Sequence, residues 1–97
     1  MVYNILPSRQ VKNYLKKCKD RVLKQYFVEL LYEKIAVVPK SGIPKQGDLS
    51  GIWTMGFTYK NSHYRIAYRI IDHSVIPIIM IGSHENFYRE LKRVLKD

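Results

Sequence analysis

Residues 52–71 read IWTMGFTYKNSHYRIAYRII, and this stretch decides the fold. Trp53, Met55, Phe57 and Tyr59 alternate with Ile52, Thr54, Gly56 and Thr58, the period of two that sends successive side chains to opposite faces of a strand. Lys60-Asn61-Ser62 supplies a short turn. Beyond it Tyr64, Ile66, Tyr68 and Ile70 alternate with His63, Arg65, Ala67, Arg69 and Ile71. Two such runs joined by so short a turn predict an antiparallel pair. The aromatic and apolar set defines its core face. Arg65 and Arg69, with only Ala67 between them, then occupy the other face.

Working outward, Asp72-His73-Ser74 turns the chain into residues 75–81, which are apolar on both faces as a covered strand requires. Pro77 has no N–H to give a ladder, so a bulge or an unpaired side is expected there. Gly82-Ser83 is expected to open a final helix, with Ser83 as cap and Phe87, Leu91, Val94 and Leu95 as its buried stripe. Upstream, Val11, Tyr14, Leu15 and Cys18 follow the i, i+3, i+4, i+7 spacing of an amphipathic helix starting at Ser8. Asp20 is a second cap, and the stripe from Val22 to Ile35 predicts a helix ending near Val37, before Pro39 and the loop over 40–47. Residues 1–6 fit a short first strand. The expected architecture is a single α+β domain over residues 1–97, ordered β-α-α-β-β-β-α. A helical hairpin packs on one face of a small, mostly antiparallel sheet and the other face stays partly free.

The charge balance narrows the partners. Among 97 residues, 17 Lys and Arg oppose 8 Asp and Glu, a formal net charge of +9, which predicts a polyanionic partner: nucleic acid, a membrane surface or an acidic protein. Arg9, Lys12, Lys16, Lys17, Lys19, Arg21 and Lys24 crowd the first helix and the start of the second, against one acid, Asp20. Blocks of one sign often mark interaction surfaces, although a solvated face is the plainer alternative. The lone Cys18 excludes an internal disulfide and suits a reducing cytoplasm. No apolar run reaches the ~20 residues of a membrane span, and no secretion signal opens the chain; a cytoplasmic protein with no membrane partner is expected. No two of His63, His73 and His84 stand at ligand spacing, so neither a metal nor another cofactor is expected.

Three segments, GDLSGIW at 47–53, YRIAYRI at 64–70, and VIPIIMIG followed by SHENFY at 75–88, resemble the RelE/ParE superfamily of type II toxin–antitoxin toxins. The likeness extends over nearly the whole chain. It implies one of two activities: ribosome-dependent cleavage of messenger RNA, as in RelE- and YoeB-like members, or inhibition of DNA gyrase, as in ParE-like members. A third alternative is an inactive toxin that keeps only its antitoxin complex. The resemblance also implies an acidic, partly disordered antitoxin, through which the complex would bind operator DNA.

In the nuclease case the ribose 2′-hydroxyl attacks the adjacent phosphorus, which requires a base, an acid and cations around the phosphoryl group. The YoeB-like pattern carries over to Arg65 as the stabilising cation, His84 as the proton-transfer group and Tyr88 as a stacking or donor group. Glu85 is the one nearby carboxylate that could serve as base. Arg69, Lys45 and Lys60 would hold the message around the sheet, and Arg9, Lys12 and Lys16 would anchor ribosomal RNA. The sequence departs from the pattern in two places. Glu85-Asn86-Phe87 separate His84 from Tyr88, and Lys45-Gln46 stand where the family's loop carboxylate is expected.

Overall fold

The computed structural model describes residues 2–96. Met1, expected to begin the first strand, and Asp97 lie outside the described residues. The chain runs β1 (Asn4–Pro7), α1 (Arg9–Lys17), α2 (Arg21–Glu29), β2 (Ile43–Pro44), β3 (Trp53–Tyr59), β4 (Ser62–Tyr68), β5 (Val75–Ser83) and α3 (Phe87–Lys96). The sheet order is β1-β5-β4-β3-β2, with β1 parallel to β5 and every other pairing antiparallel. This is the expected α+β arrangement with one addition, the two-residue β2 beside Trp53 and Thr54.

The caps fall where the sequence puts them. The Ser8 hydroxyl accepts from the Val11 N–H, and Asp20 accepts from Val22 and Leu23, each occupying backbone donors that a helix start leaves free. After Glu29 the second helix widens into a π turn over Leu30–Ile35. The wider turn keeps Leu31 and Ile35 buried on the stripe begun by Leu23 and Phe27. Asp20 does a second job. The Tyr59 hydroxyl donates to its carboxylate at 2.9 Å, tying the β3–β4 end to the junction of α1 and α2.

The β3–β4 turn is the two-residue Lys60-Asn61, both left-handed at φ 48° and 64°, which matches the twist of a tight hairpin. In register, Thr54, Gly56 and Thr58 oppose Ala67, Arg65 and His63. The other faces carry Phe57, Tyr64, Ile66 and Tyr68 into a core with Val11, Phe27, Leu31 and Ile35. A second, smaller core occupies the opposite face, where Phe87 and Leu91 of α3 cover Ala67 and Met80. The free face is therefore only the part around Gly56, Arg65 and His63.

Two features of β5 bear on the expectations. Pro77 pairs with Leu6 of β1 and has no register partner on β4, the unpaired side expected of it. The bulge falls at Ile79, where the register passes from Ala67↔Met80 to Tyr68↔Ile78; the Ser8 hydroxyl donates to the Ile79 carbonyl at 2.7 Å. The strand also continues through Ser83, and α3 starts only at Phe87. Gln10 explains part of this persistence: its amide donates to the Ile81 carbonyl and accepts from the Ile81 N–H, continuing the β1 side of the ladder past the end of β1. Ser83 consequently caps nothing. Among the described residues no helix is long and apolar enough to cross a membrane.

Candidate functional site

The β4–β5 ladder delivers the last residue of β5 to the start of β4, and His84 follows immediately. Its N–H donates to the His63 carbonyl at 2.6 Å, and its own carbonyl accepts from the Phe87 N–H at 3.1 Å. The chain then passes through Asn86, left-handed at φ 60°, into α3. His84 thus sits at a strand–helix junction with its backbone held on both sides, not on the helix itself. A helix capped by Ser83 would have carried His84 in its first turn; instead His84 precedes α3, and the turn brings its ring to 6.3 Å from that of Tyr88, nearly perpendicular.

Arg65 reaches the same place from β4. Its Nε donates to His84 Nδ1 at 3.0 Å, which leaves the neutral imidazole with its proton on Nε2. The Arg65 guanidinium carbon lies 5.7 Å from the centre of the Tyr88 ring, and Lys45 Nζ lies 5.0 Å from it. Lys45 is held by its own backbone, whose N–H donates to the Ile52 carbonyl at 2.8 Å. Burial alone would raise the Tyr88 phenol. Lys45 and Thr54 as polar neighbours, with the Arg65 and Lys45 charges, more than offset that and hold the phenol below the usual tyrosine value. Thr54 Oγ1 is fully buried and forms no hydrogen bond of good geometry among the described residues, so its influence on the phenol comes through proximity.

Four of the expected residues therefore converge: Arg65, His84, Tyr88 and Lys45. The others do not join them. Arg69 lies beyond the fully buried Ala67, and its guanidinium extends toward Gly51, where a Cβ would approach Nη1 to 3.6 Å. Lys60 pairs with Asp20 at 3.8 Å on the helical side of the sheet. Glu85 is exposed and forms no ion pair or hydrogen bond among the described side chains. Arg9, Lys12 and Lys16 project from α1, which packs on the sheet face opposite Arg65.

Sequence reading passes over His63 as a residue flanking a turn. Its ring centre lies 6.3 Å from that of His84, and its Nδ1 pairs with the Thr58 hydroxyl at 3.0 Å. The signal is present in the pattern: alternation puts residues 63 and 65 on one face, and a two-residue turn sets Thr58 opposite His63. A hollow of roughly 630 Å3 lies away from these groups at the far end of the sheet, beside Tyr3, Val38, Trp53 and Ile71. Its walls are mostly hydrocarbon, with Lys40, Asp72 and His73 also lining it. No cluster of three or more His, Cys, Asp or Glu side chains suited to a metal occurs among the described residues.

Comparison with known proteins agrees with the fold. A profile described as ParE-like toxin of type II bacterial toxin–antitoxin system matches residues 5–92. A free-state arginine-to-alanine double mutant of Escherichia coli RelE superposes with a TM-score of 0.73 at 17% identity, covering 99% of this chain and 98% of that one. A RelBE toxin–antitoxin complex from Mycobacterium tuberculosis gives 0.68 at 22% identity, covering 87% and 100%. The E. coli RelE mutant in complex with an antitoxin RelB peptide gives 0.63 at 18% identity, covering 94% and 95%. No curated protein sequence matches the chain.

Proposed function

Because the chain belongs to the ParE-like toxins of type II bacterial toxin–antitoxin systems, we propose that it is a ribosome-dependent, metal-independent endonuclease of messenger RNA. The observation that carries this reading is the Arg65–His84 hydrogen bond, set beside Tyr88 and Lys45 on the open part of the sheet. A cation, an imidazole and a phenol below its usual value are the groups that attack by a 2′-hydroxyl needs.

The mechanism follows from what each group is bonded to. Lys45 and Arg65 favour ionisation of Tyr88, and its ionised form takes the 2′ proton while the 2′ oxygen bonds to phosphorus. Arg65 and Lys45 balance the charge that accumulates on the phosphoryl oxygens. A phosphate that draws Arg65 away from His84 frees Nδ1 for protonation, and the resulting imidazolium donates a proton to the departing 5′ oxygen. The P–O5′ bond breaks, leaving a 2′,3′-cyclic phosphate and a 5′-hydroxyl. Glu85, exposed and unattached, has no part in these steps.

The partner in this reading is an antitoxin, as the RelE-related complexes support, and the +9 charge calls for an acidic one. Arg9, Lys12 and Lys16 would contact ribosomal RNA from α1. The test is cleavage of a defined message in a purified translation system, with the 5′ and 3′ ends of the fragments identified. Cleavage abolished by Arg65→Ala supports the proposal; intact message with arrested translation sinks it.

One observation favours a gyrase inhibitor as the second reading. No carboxylate reaches the His84 group among the described residues, and Lys45 occupies the loop where the family's acid is expected. Stabilised double-strand breaks in a purified gyrase assay, unchanged by His84→Ala, would establish it.

A further inference from the structure

Beside the Arg65–His84 pair, on the side away from Tyr88, the sheet surface dips into a hollow of roughly 290 Å3 whose lining includes Ile43, Gly56, Thr58, His63 and Arg65. We infer that this hollow is a subsite for a heterocyclic base of single-stranded nucleic acid, the base adjoining the phosphate that Arg65 would hold. The inference rests on the nuclease reading and deepens it.

The floor is Gly56, exposed and directly opposite Arg65 on β3. A Cβ there would come 2.9 Å from the Tyr64 backbone carbonyl and would fill the space beside Arg65, 3.5 Å from its Cγ and Nη1, so glycine both fits the backbone and keeps the hollow open. One wall is Ile43 of the two-residue β2, an apolar side chain 57% exposed that has no core to fill. The other wall is the exposed His63 ring, fixed by its Nδ1 contact with Thr58 Oγ1 at 3.0 Å. His63 Nε2 has no hydrogen-bond partner among the described residues. An apolar wall and a held aromatic ring lining one hollow suit a flat base, because stacking supplies attraction to any base.

The adjoining charge selects this occupant over a free apolar ligand. Arg65 lines the hollow and also contacts His84 and Tyr88, so a base in the hollow can be joined through its ribose to a phosphate at Arg65. His63 and Arg65 are two residues apart on one strand face, roughly 6.6 Å along β4, a spacing that one nucleotide spans.

The experiment titrates the isotope-labelled full chain with two probes, adenosine 5′-monophosphate and ribose 5-phosphate, following backbone and imidazole resonances. Both probes are expected to shift Arg65 and Lys45, and only the nucleotide is expected to shift Ile43, Gly56, Thr58 and His63. His63→Ala and Ile43→Ser should each weaken the nucleotide by about five-fold or more, the low end for a base–aromatic contact, and leave ribose phosphate unchanged. Equal weakening for both probes, or a nucleotide that shifts Arg65 but not the hollow, overturns the subsite alone. If neither probe reaches Arg65, the subsite and the nuclease reading fail together.

Discussion

Arg65 Nε and His84 Nδ1, 3.0 Å apart at the meeting of β4 and the end of β5, share a single proton, which belongs to the arginine. The imidazole therefore turns its own proton, on Nε2, outward. Nitrogen NMR of the free protein should find the neutral form of the His84 ring in the Nε2–H tautomer, and Arg65→Ala should return it to a mixture of both tautomers. A single tautomer in that variant would mean that another contact orients the ring. Arg65→Lys keeps the charge but has no Nε at the right height, and is expected to behave as Arg65→Ala in this measurement.

Tyr68 is fully buried, and its hydroxyl donates to the Pro39 carbonyl at 2.6 Å. Tyr68→Phe leaves that carbonyl without its donor and should cost about 1–3 kcal/mol in denaturant unfolding. Burial pushes the Tyr68 phenol from 10.0 up to about 12. A raised folded value means the contribution is complete below the unfolded value near 10 and is lost as pH rises toward about 12. The wild-type chain should accordingly lose stability faster than Tyr68→Phe across that window. Parallel alkaline unfolding curves would contradict this.

Asp20 shows the opposite sign. The Leu23 N–H foremost, then the Tyr59 hydroxyl and the Lys60 charge, hold its carboxyl below the usual 3.8. That contribution is present above the unfolded value and disappears as pH falls through the lower folded one. Asp20→Asn keeps a capping acceptor but cannot titrate, so acid unfolding followed by circular dichroism should have a shallower pH slope below about pH 4. Some slope should remain, because Asp72 is lowered as well, mainly by the Ser74 N–H. An unchanged slope would show that Asp20 interacts equally in the unfolded chain.

The basic face of α1 lies across the sheet from Arg65, so it can be tested separately. Replacing Lys12 and Lys16 with Ala should weaken ribosome binding and reduce the salt slope of log K by up to about 2, since each phosphate no longer neutralised lowers it by about 0.7–0.9. The Arg65–His84 hydrogen bond, read by the His84 tautomer, should be unaffected. A preserved salt slope would remove α1 from the footprint.

Most of the fold is legible in the sequence because its patterns are local. Ser8 and Asp20 cap the helices they are expected to cap, and the alternation from Trp53 to Tyr68 assigns both sheet faces correctly. Where the pattern misleads, a distant contact overrides a nearby signal. Ser83 looks like a helix cap, but Gln10 extends the ladder at Ile81 from the other end of the chain, and β5 continues past the glycine. Lys60 looks available to a ligand until the hairpin brings it to Asp20. Arg69 matches Arg65 in the strand pattern, yet α3 buries the alanine between them. The proximity of Lys45 to Tyr88 has no local signature, since it depends on where a loop and a helix meet over the sheet.

The bond between Ser8 and the Ile79 carbonyl bridges a sequence separation of 71 residues, and this has a consequence for biosynthesis. β1 is made before β5 and must wait, without its neighbour, until the elements between them have emerged. A nascent chain halted before Val75 has neither a closed sheet nor the His84 and Tyr88 of the proposed site. On the proposed function, closure of the sheet and assembly of the cleavage site are therefore a single late event.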